Sequence, residues 1–475
     1  MTIDLTDVQA NILRGYRATD ARHFALAFGS APLAQTFVGA LVSGDSTSPQ
    51  ITTADTWNAQ PGYCLNIGFT GDGLNALGLD AATLAQFPLT FTHGSAMRSS
   101  ASSTADPNGI GLGDVGASAP DQWCLGGTTT PSVHVLLSLF TDESRAPGQA
   151  DLSLRLRALF AAHQITEISA HDAHAFDNDV VHFGYRDNIS QPTIDGGPPP
   201  EIPDMQPPTP TGDMLLGPQY RNTYGGTFDG PLPANLVSNG TYCAFRVLAQ
   251  DVRAFEDMLD TTSKRFFLDK EMVAAKIVGR WRNGVPLAVS PLTDTPAGGI
   301  SEDDLNRFDY APTTDHPTVY DDEQGLRCPM GAHMRRLNPR SGLAMGVPHN
   351  RRIVRRGMPY GPAFDPTQPD DGIERGLAGM FICGDLDMHF EFIQRIWVNT
   401  DIHTAGLRGT RDALLGYQDP DVGGKFTIRT NDTRDPITIV DLPRLITTRG
   451  SLYCFMPGIG GLRHLAALSG PGTHE

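Results

Sequence analysis

Cysteine is scarce in this chain of 475 residues: six, at 64, 124, 243, 328, 383 and 454, with no Cys-x-x-Cys spacing among them. Several sit in apolar, strand-like runs such as Tyr453-Cys-Phe-Met, so they read as buried reduced thiols, and a cytoplasmic compartment is expected. No apolar run reaches 18 residues, which excludes a spanning helix. The opening Met1-Thr-Ile-Asp-Leu-Thr-Asp-Val has neither a basic nor an apolar leader region, so no signal peptide is expected; export of a processed form stays open. Positive charge is in deficit, with a formal net charge of −17, and the overall field repels nucleic acid and anionic membranes. With 40% hydrophobic residues, the length supports two domains or one fused double domain.

Four units read as a strand leading into a helix. Residues 64–70 alternate through Leu65, Ile67 and Phe69. Residues 134–140 form a buried-strand run, followed by Leu152, Leu156, Leu159 and Phe160 on one helical face. Residues 241–248 alternate through Cys243, Phe245 and Val247 before a helical stripe of Val252, Phe255 and Leu259. Residues 380–383 precede Phe390, Ile393 and Trp397 at helical spacing. Between the two similar halves, Pro198 to Pro218 holds eight prolines and reads as a long surface connection. The pattern is α+β, divided as 1–197, a connection over 198–235, and 236–475.

One histidine stands in an unusually basic setting. Cys328-Pro-Met-Gly-Ala-His-Met-Arg-Arg-Leu-Asn-Pro-Arg340 carries His333, and Arg352-Ile-Val-Arg-Arg-Gly-Met-Pro-Tyr-Gly361 follows. A neutral imidazole beside guanidinium groups suits haem iron with its anionic propionates; a surface histidine on a basic loop is the competing reading. Upstream lies Phe183-Gly-Tyr-Arg-Asp-Asn-Ile-Ser-Gln-Pro192. Together these segments resemble the dye-decolorizing peroxidases, whose hallmark is Gly-x-x-Asp-Gly. Gly184 and Asp187 match it, and Asn188 stands where the family usually has glycine. Asparagine tolerates the left-handed backbone better than most residues, so the turn that aims Asp187 is expected to survive. Further landmarks occur in order: residues 7–15, 211–217, 239–242, 278–287 and 392–397.

The resemblance implies two ferredoxin-like halves forming a dimeric α+β barrel, with haem b held in the C-terminal half. It implies a peroxidase that oxidises small aromatic, phenolic or dye-like donors at the cost of hydrogen peroxide, by one-electron steps. Iron removal, haem delivery and non-catalytic haem binding are the alternatives. His333 is then the axial ligand, Asp187 the acid/base and Arg355 the cation beside the peroxide. Asp412 is the expected partner of His333, with Glu391 or a backbone carbonyl competing. Arg335, Arg340 and Arg352 are candidates for the propionates, against a solvated surface. Met380, Phe381 and Ile382 are placed near the peroxide side, against plain core packing. The family leaves room for a homo-oligomer.

Two other features stay open. His171-Asp-Ala-His-Ala-Phe-Asp-Asn-Asp-Val-Val-His182 offers mixed ligands for Mn²⁺ or Zn²⁺, but it matches no known ligand spacing and an ordinary polar loop is the favoured reading. Trp57, Trp123, Trp281 and Trp397 are either electron relays or core aromatics.

Overall fold

The computed structural model describes residues 2–44, 48–99, 111–145, 147–312, 322–341, 349–400, 407–418, 423–430 and 435–468. Its strands in chain order are β1 (Asp20–Phe28), β2 (Tyr63–Phe69), β3 (Val135–Thr141), β4 (Ile165–His174), β5 (Thr241–Gln250), β6 (Val354–Tyr360), β7 (Gly376–Cys383), β8 (Gly424–Ile428), β9 (Ile437–Leu442) and β10 (Ile446–Met456). β8 and β9 pair as a separate hairpin, and the other strands form one sheet in the order β4-β1-β3-β2-β10-β5-β7-β6.

That order is one motif used twice. Numbered within each half, the strands run 4-1-3-2 and again 4-1-3-2, all neighbours antiparallel. Helices Ala31–Ser43 and Gln149–Ala162 fill the two crossovers of the first half. Val252–Phe266 and the helical stretch Leu386–Val398 fill those of the second. These are two ferredoxin-like halves. They join where Phe69 of β2 faces Phe455 of β10. At the far ends β4 lies against β6, so the sheet curls into a barrel.

The buried strands read as continuous apolar runs because both faces are covered. β3 is buried at every position, and β5 at all but one. One face packs Phe24, Leu65, Leu137 and Phe455 against helices. The other closes around Cys64, Phe140, Cys243, Phe245, Met380 and Cys454 inside the barrel.

Three of the expected strands appear within two residues of their positions, and the fourth, expected over 380–383, begins four residues earlier as Gly376–Cys383. Helix Val252–Phe266 begins where the Asp251 side chain accepts from the Ala254 N–H, and it buries Val252, Phe255 and Leu259. The segment carrying Phe390, Ile393 and Trp397 differs: it is wound as π-helix, wider than the spacing suggested. β1, β4 and β6 have no clear apolar alternation in sequence. The proline-rich connection is not purely superficial either, because the Asp204 side chain within it is fully buried.

The residues weighed for a metal do not converge. His174 pairs with Asp20, and His182 Nε2 lies 2.8 Å from the Tyr360 carbonyl. Among the described residues no three His, Cys, Asp or Glu side chains are grouped to hold an ion. Trp123, Trp281 and Trp397 are buried, and Trp57 lies half-buried beneath Arg14, 4.9 Å from its ring centre. All six cysteines are free, five buried and Cys124 exposed. Among the described residues no helix is long and apolar enough to cross a membrane.

Candidate active site

A cavity of about 340 Å³ opens against the outer face of the second half-sheet. Strand alternation decides which side chains reach it. Phe245, Val247, Ala378 and Val354 point into the barrel, so Arg246, Leu248, Leu377, Gly379, Phe381, Arg355 and Gly357 line the cavity instead. Further lining comes from the short helix at His333, from Leu414 and Leu415, from Ile393, and from the 181–192 loop of the first half.

His333 opens the helix His333–Leu337. Its Nδ1 lies 3.0 and 3.1 Å from the two oxygens of Asp412. Asp412 is fully buried, and its Oδ1 also accepts the N–H groups of Leu414 and Leu415 at 3.0 and 2.7 Å. Burial works to raise this carboxyl, but the charge and hydrogen bond of His333 outweigh it and leave the group below the usual carboxylate range. Nδ1 is therefore committed as a donor, and Nε2 carries the lone pair available to the cavity. Glu391, the competing partner, is occupied elsewhere by Arg98 and Tyr453.

Asp187 reaches the cavity from a tight turn. Its N–H donates to the Asp179 carbonyl at 2.9 Å, and Asn188 takes a left-handed φ of +58°. The asparagine thus supplies the backbone that glycine would. Gly184 meets a backbone need: it has φ +82°, where side chains are strained, and a Cβ there would fall 2.5 Å from the Arg282 guanidinium.

Arg355 and Arg356 part company through the pleat. Arg355 faces Phe381 across the β6–β7 ladder on the cavity side, its Nη2 donating to the Ser190 carbonyl at 2.8 Å. Arg356 pairs in register with Met380, and its Nε donates to the Asn11 carbonyl at 2.8 Å. Met380 touches the cavity edge, but its sulfur accepts from Asn11 inside the barrel. Ile382, expected near the site, does not line the cavity; it lies in the barrel core on the Met380 side of the pleat. Phe381 is the cavity residue of that run.

The arginines expected to meet an anion also divide. Arg340 and Arg352 line the cavity and share a single carboxylate, Asp204, at 3.4 and 2.6 Å. Arg280, which the sequence reading passed over inside residues 278–287, is buried beside them and is held by the carbonyls of Gly284 and Leu305. Burial lowers Arg280 to about 9, with Arg340 adding repulsion, and lowers Arg352 to about 10 against the pull of Asp204. Three buried cations thus answer to one carboxylate, a balance that calls for an anion. Arg335 is a correction. It does not line the cavity, since Asp322 at 2.9 Å and the Cys328 carbonyl take its guanidinium, which lies 4.1 Å above the Tyr310 ring centre. The buried Arg246–Asp114 ion pair at the β5 side was also missed. Neither Asp114 nor Asp204 carries a local sequence signal, because each acts on residues distant in the chain.

Comparison with known proteins agrees with this geometry. No family model matches the chain. The dye-decolorizing peroxidase msp1 of Mycetinis scorodonius is 30% identical, over 97% of this chain and 87% of that protein. The multifunctional dye peroxidase DyP2 of an Amycolatopsis species is 26% identical, over 97% of this chain and 96% of that protein. Among solved structures, a dye-decolorizing peroxidase in complex with 2,6-dimethoxyphenol matches with a TM-score of 0.76 at 24% identity, covering 98% of this chain and all of that one. The DyP-type peroxidase of Auricularia auricula-judae gives 0.77 at 22%, with the same coverage. The chain belongs to the dye-decolorizing peroxidase family. It is a peroxidase, and the family's members are haem enzymes.

Proposed function

We propose that the cavity binds haem b through His333 Nε2 and that Asp187 and Arg355 carry out the proton and charge work of peroxide cleavage. The residues present fit such a group. An imidazole nitrogen is free and its ring is fixed from behind by Asp412. Leu248, Leu377, Phe381, Leu414 and Leu415 offer apolar walls, and Arg280, Arg340 and Arg352 exceed the carboxylate they share. Arg340 and Arg352 would hold propionates; Arg335 would not. The bound iron would supply the site for peroxide and the electrons for its reduction.

The chain's own residues do the rest. The Asp187 carboxylate takes the proton from the nearer peroxide oxygen and returns it to the farther one. The Arg355 guanidinium stabilises negative charge as that oxygen departs. Asp412 keeps the His333 proton on Nδ1, which makes Nε2 a stronger donor. Phenolic or dye-like donors then return the enzyme to rest, one electron at a time; a solved relative holding 2,6-dimethoxyphenol supports a phenol-sized donor.

The observation that carries this reading is the meeting in one cavity of His333 backed by Asp412, Asp187 and Arg355. Haem titration of the apoprotein tests it. His333→Ala should bind haem weakly and without a histidine-ligated spectrum. Full occupancy with unchanged axial coordination would exclude the assignment.

A further inference from the structure

The backbone of Arg355 faces the open edge of the sheet. β6 is the last strand in the sheet order, with β7 as its hydrogen-bonded neighbour. In such a strand every second residue turns its N–H and C=O outward, away from the ladder. The Arg355 N–H donates to Gln191 Oε1 at 3.1 Å, and its carbonyl accepts from Gln191 Nε2 at 2.7 Å. One side-chain amide thus does what a further strand would do, for a single residue. Only asparagine and glutamine carry a donor and an acceptor side by side in a neutral planar group, which this pairing requires.

The guanidinium is held from the same place, because Arg355 Nη2 donates to the Ser190 carbonyl at 2.8 Å. Backbone and side chain of Arg355 are therefore both tied to two consecutive loop residues of the first half. That loop also carries Asp187, which has anchors of its own. The Asp187 N–H meets the Asp179 carbonyl, and the Arg186 N–H meets the Arg282 carbonyl, each at 2.9 Å. The Arg186 guanidinium donates to both oxygens of Glu302 at 2.7 Å. Asp187 is thus fixed without Gln191, whereas Arg355 is fixed to the loop through residues 190 and 191.

We propose that Gln191 is a positioning residue for peroxide cleavage, setting the Arg355 cation at a fixed place relative to the Asp187 carboxylate. Its amide is engaged by the Arg355 backbone, so it acts through the arginine. This role rests on Asp187 and Arg355 acting as the peroxidase reading assigns them. Their separation matters because a misplacement of about 1 Å can slow a reaction ~10²-fold.

Two measurements test it. Hydrogen exchange in the apoprotein reads the contact directly. In Gln191→Met, which keeps the side chain's length without its amide, the Arg355 N–H should exchange about tenfold or more faster, while the core strand β5 keeps its protection. Stopped-flow mixing of the haem-loaded protein with stoichiometric peroxide reads the consequence. Gln191→Met should respond about ten- to a hundredfold more slowly at unchanged haem content. In an Arg355→Leu background the same substitution should cost about threefold or less, because the group it positions is gone. Gln191→Glu offers the donor only while its carboxyl is protonated, so its rate relative to wild type should climb as the pH falls below ~4.3.

Unchanged exchange at Arg355 in Gln191→Met overturns the contact. An equal loss in both backgrounds, no loss at all, a loss that follows haem content, or a ratio for Gln191→Glu that is flat with pH overturns the positioning role. A wild-type haem protein indifferent to peroxide, or Arg355→Leu at full speed, strikes the reading on which the role rests, whatever the exchange result.

Discussion

His333 and Asp412 are 79 residues apart in the chain and meet at 3.0 Å, with the carboxylate wholly buried and the imidazole open to the cavity. The same carboxylate closes the turn of residues 412–415 through two backbone N–H groups, so holding the ring and shaping the loop are one task. Asp412→Ala should destabilise the apoprotein by roughly 2–4 kcal/mol, since it strands buried donors. Asp412→Asn should fold better and lose about 10- to 100-fold in haem affinity, the usual size of such partner effects. Denaturant melts and haem titration together check this; wild-type affinity in Asp412→Asn would show that the pair serves the fold alone.

The pleat assigns different work to neighbouring arginines. Arg355→Leu should slow the spectral response of the haem protein to stoichiometric peroxide by about 10²-fold or more, the scale of a lost electrostatic donor. Arg356→Leu should first cost stability, because the buried Asn11 carbonyl loses its partner. Stopped-flow traces of both variants separate the two; a slow Arg356→Leu beside a fast Arg355→Leu would reverse the assignment.

Asp187 makes a sharper demand on kinetics than on binding. Asp187→Asn preserves the size of the side chain, and the turn is held by backbone contacts and the left-handed Asn188. Haem uptake should therefore be unchanged while peroxide cleavage falls about 10²- to 10⁴-fold, the range for a lost general acid/base. An undiminished cleavage rate means the proton travels by another route.

A pH effect on stability follows from His23, buried in the barrel with Nδ1 2.9 Å from the Ser138 hydroxyl and its ring against Phe140 and Phe245. Burial, reinforced by His171, lowers His23 to about 3. In the unfolded chain it titrates near ~6.5, so between these values the unfolded state holds the extra proton. Its contribution is complete above pH ~6.5 and declines as the pH falls toward 3, by up to about 1.4 kcal/mol per pH unit. His23→Gln should flatten the stability curve by about one proton over that window, whatever it costs at neutral pH. Urea melts from pH 8 to 4 measure the slope, and an unaltered slope refutes the role.

Residues whose function is stated by near neighbours were legible without coordinates. The alternation through Cys243, Phe245 and Val247, the stripe of Val252, Phe255 and Leu259, and the ordered motifs around Asp187, His333 and Arg355 each lie within a short window. They were sufficient for an α+β chain and for the family resemblance, which in turn implied the paired ferredoxin-like halves. β6 escaped notice because its Arg355-Arg356 and Pro359 break the apolar pattern, although the cavity uses it as floor.

Long-range pairing decided the rest. Three arginines looked equivalent in sequence, but Asp322 holds Arg335 away while Asp204 brings Arg340 and Arg352 together at the cavity. The register of β6 on β7 sends Arg355 and Phe381 to the cavity face and Ile382 to the barrel core, while Arg356 touches the cavity edge with its Nε held by the Asn11 carbonyl. The sequence by itself determined which residue types were at hand and the order of the strands along the chain. The tertiary structure alone decided which of them share a cavity, because a side chain's direction depends on its strand's pairing and a buried charge's partner depends on which distant carboxylate folds against it.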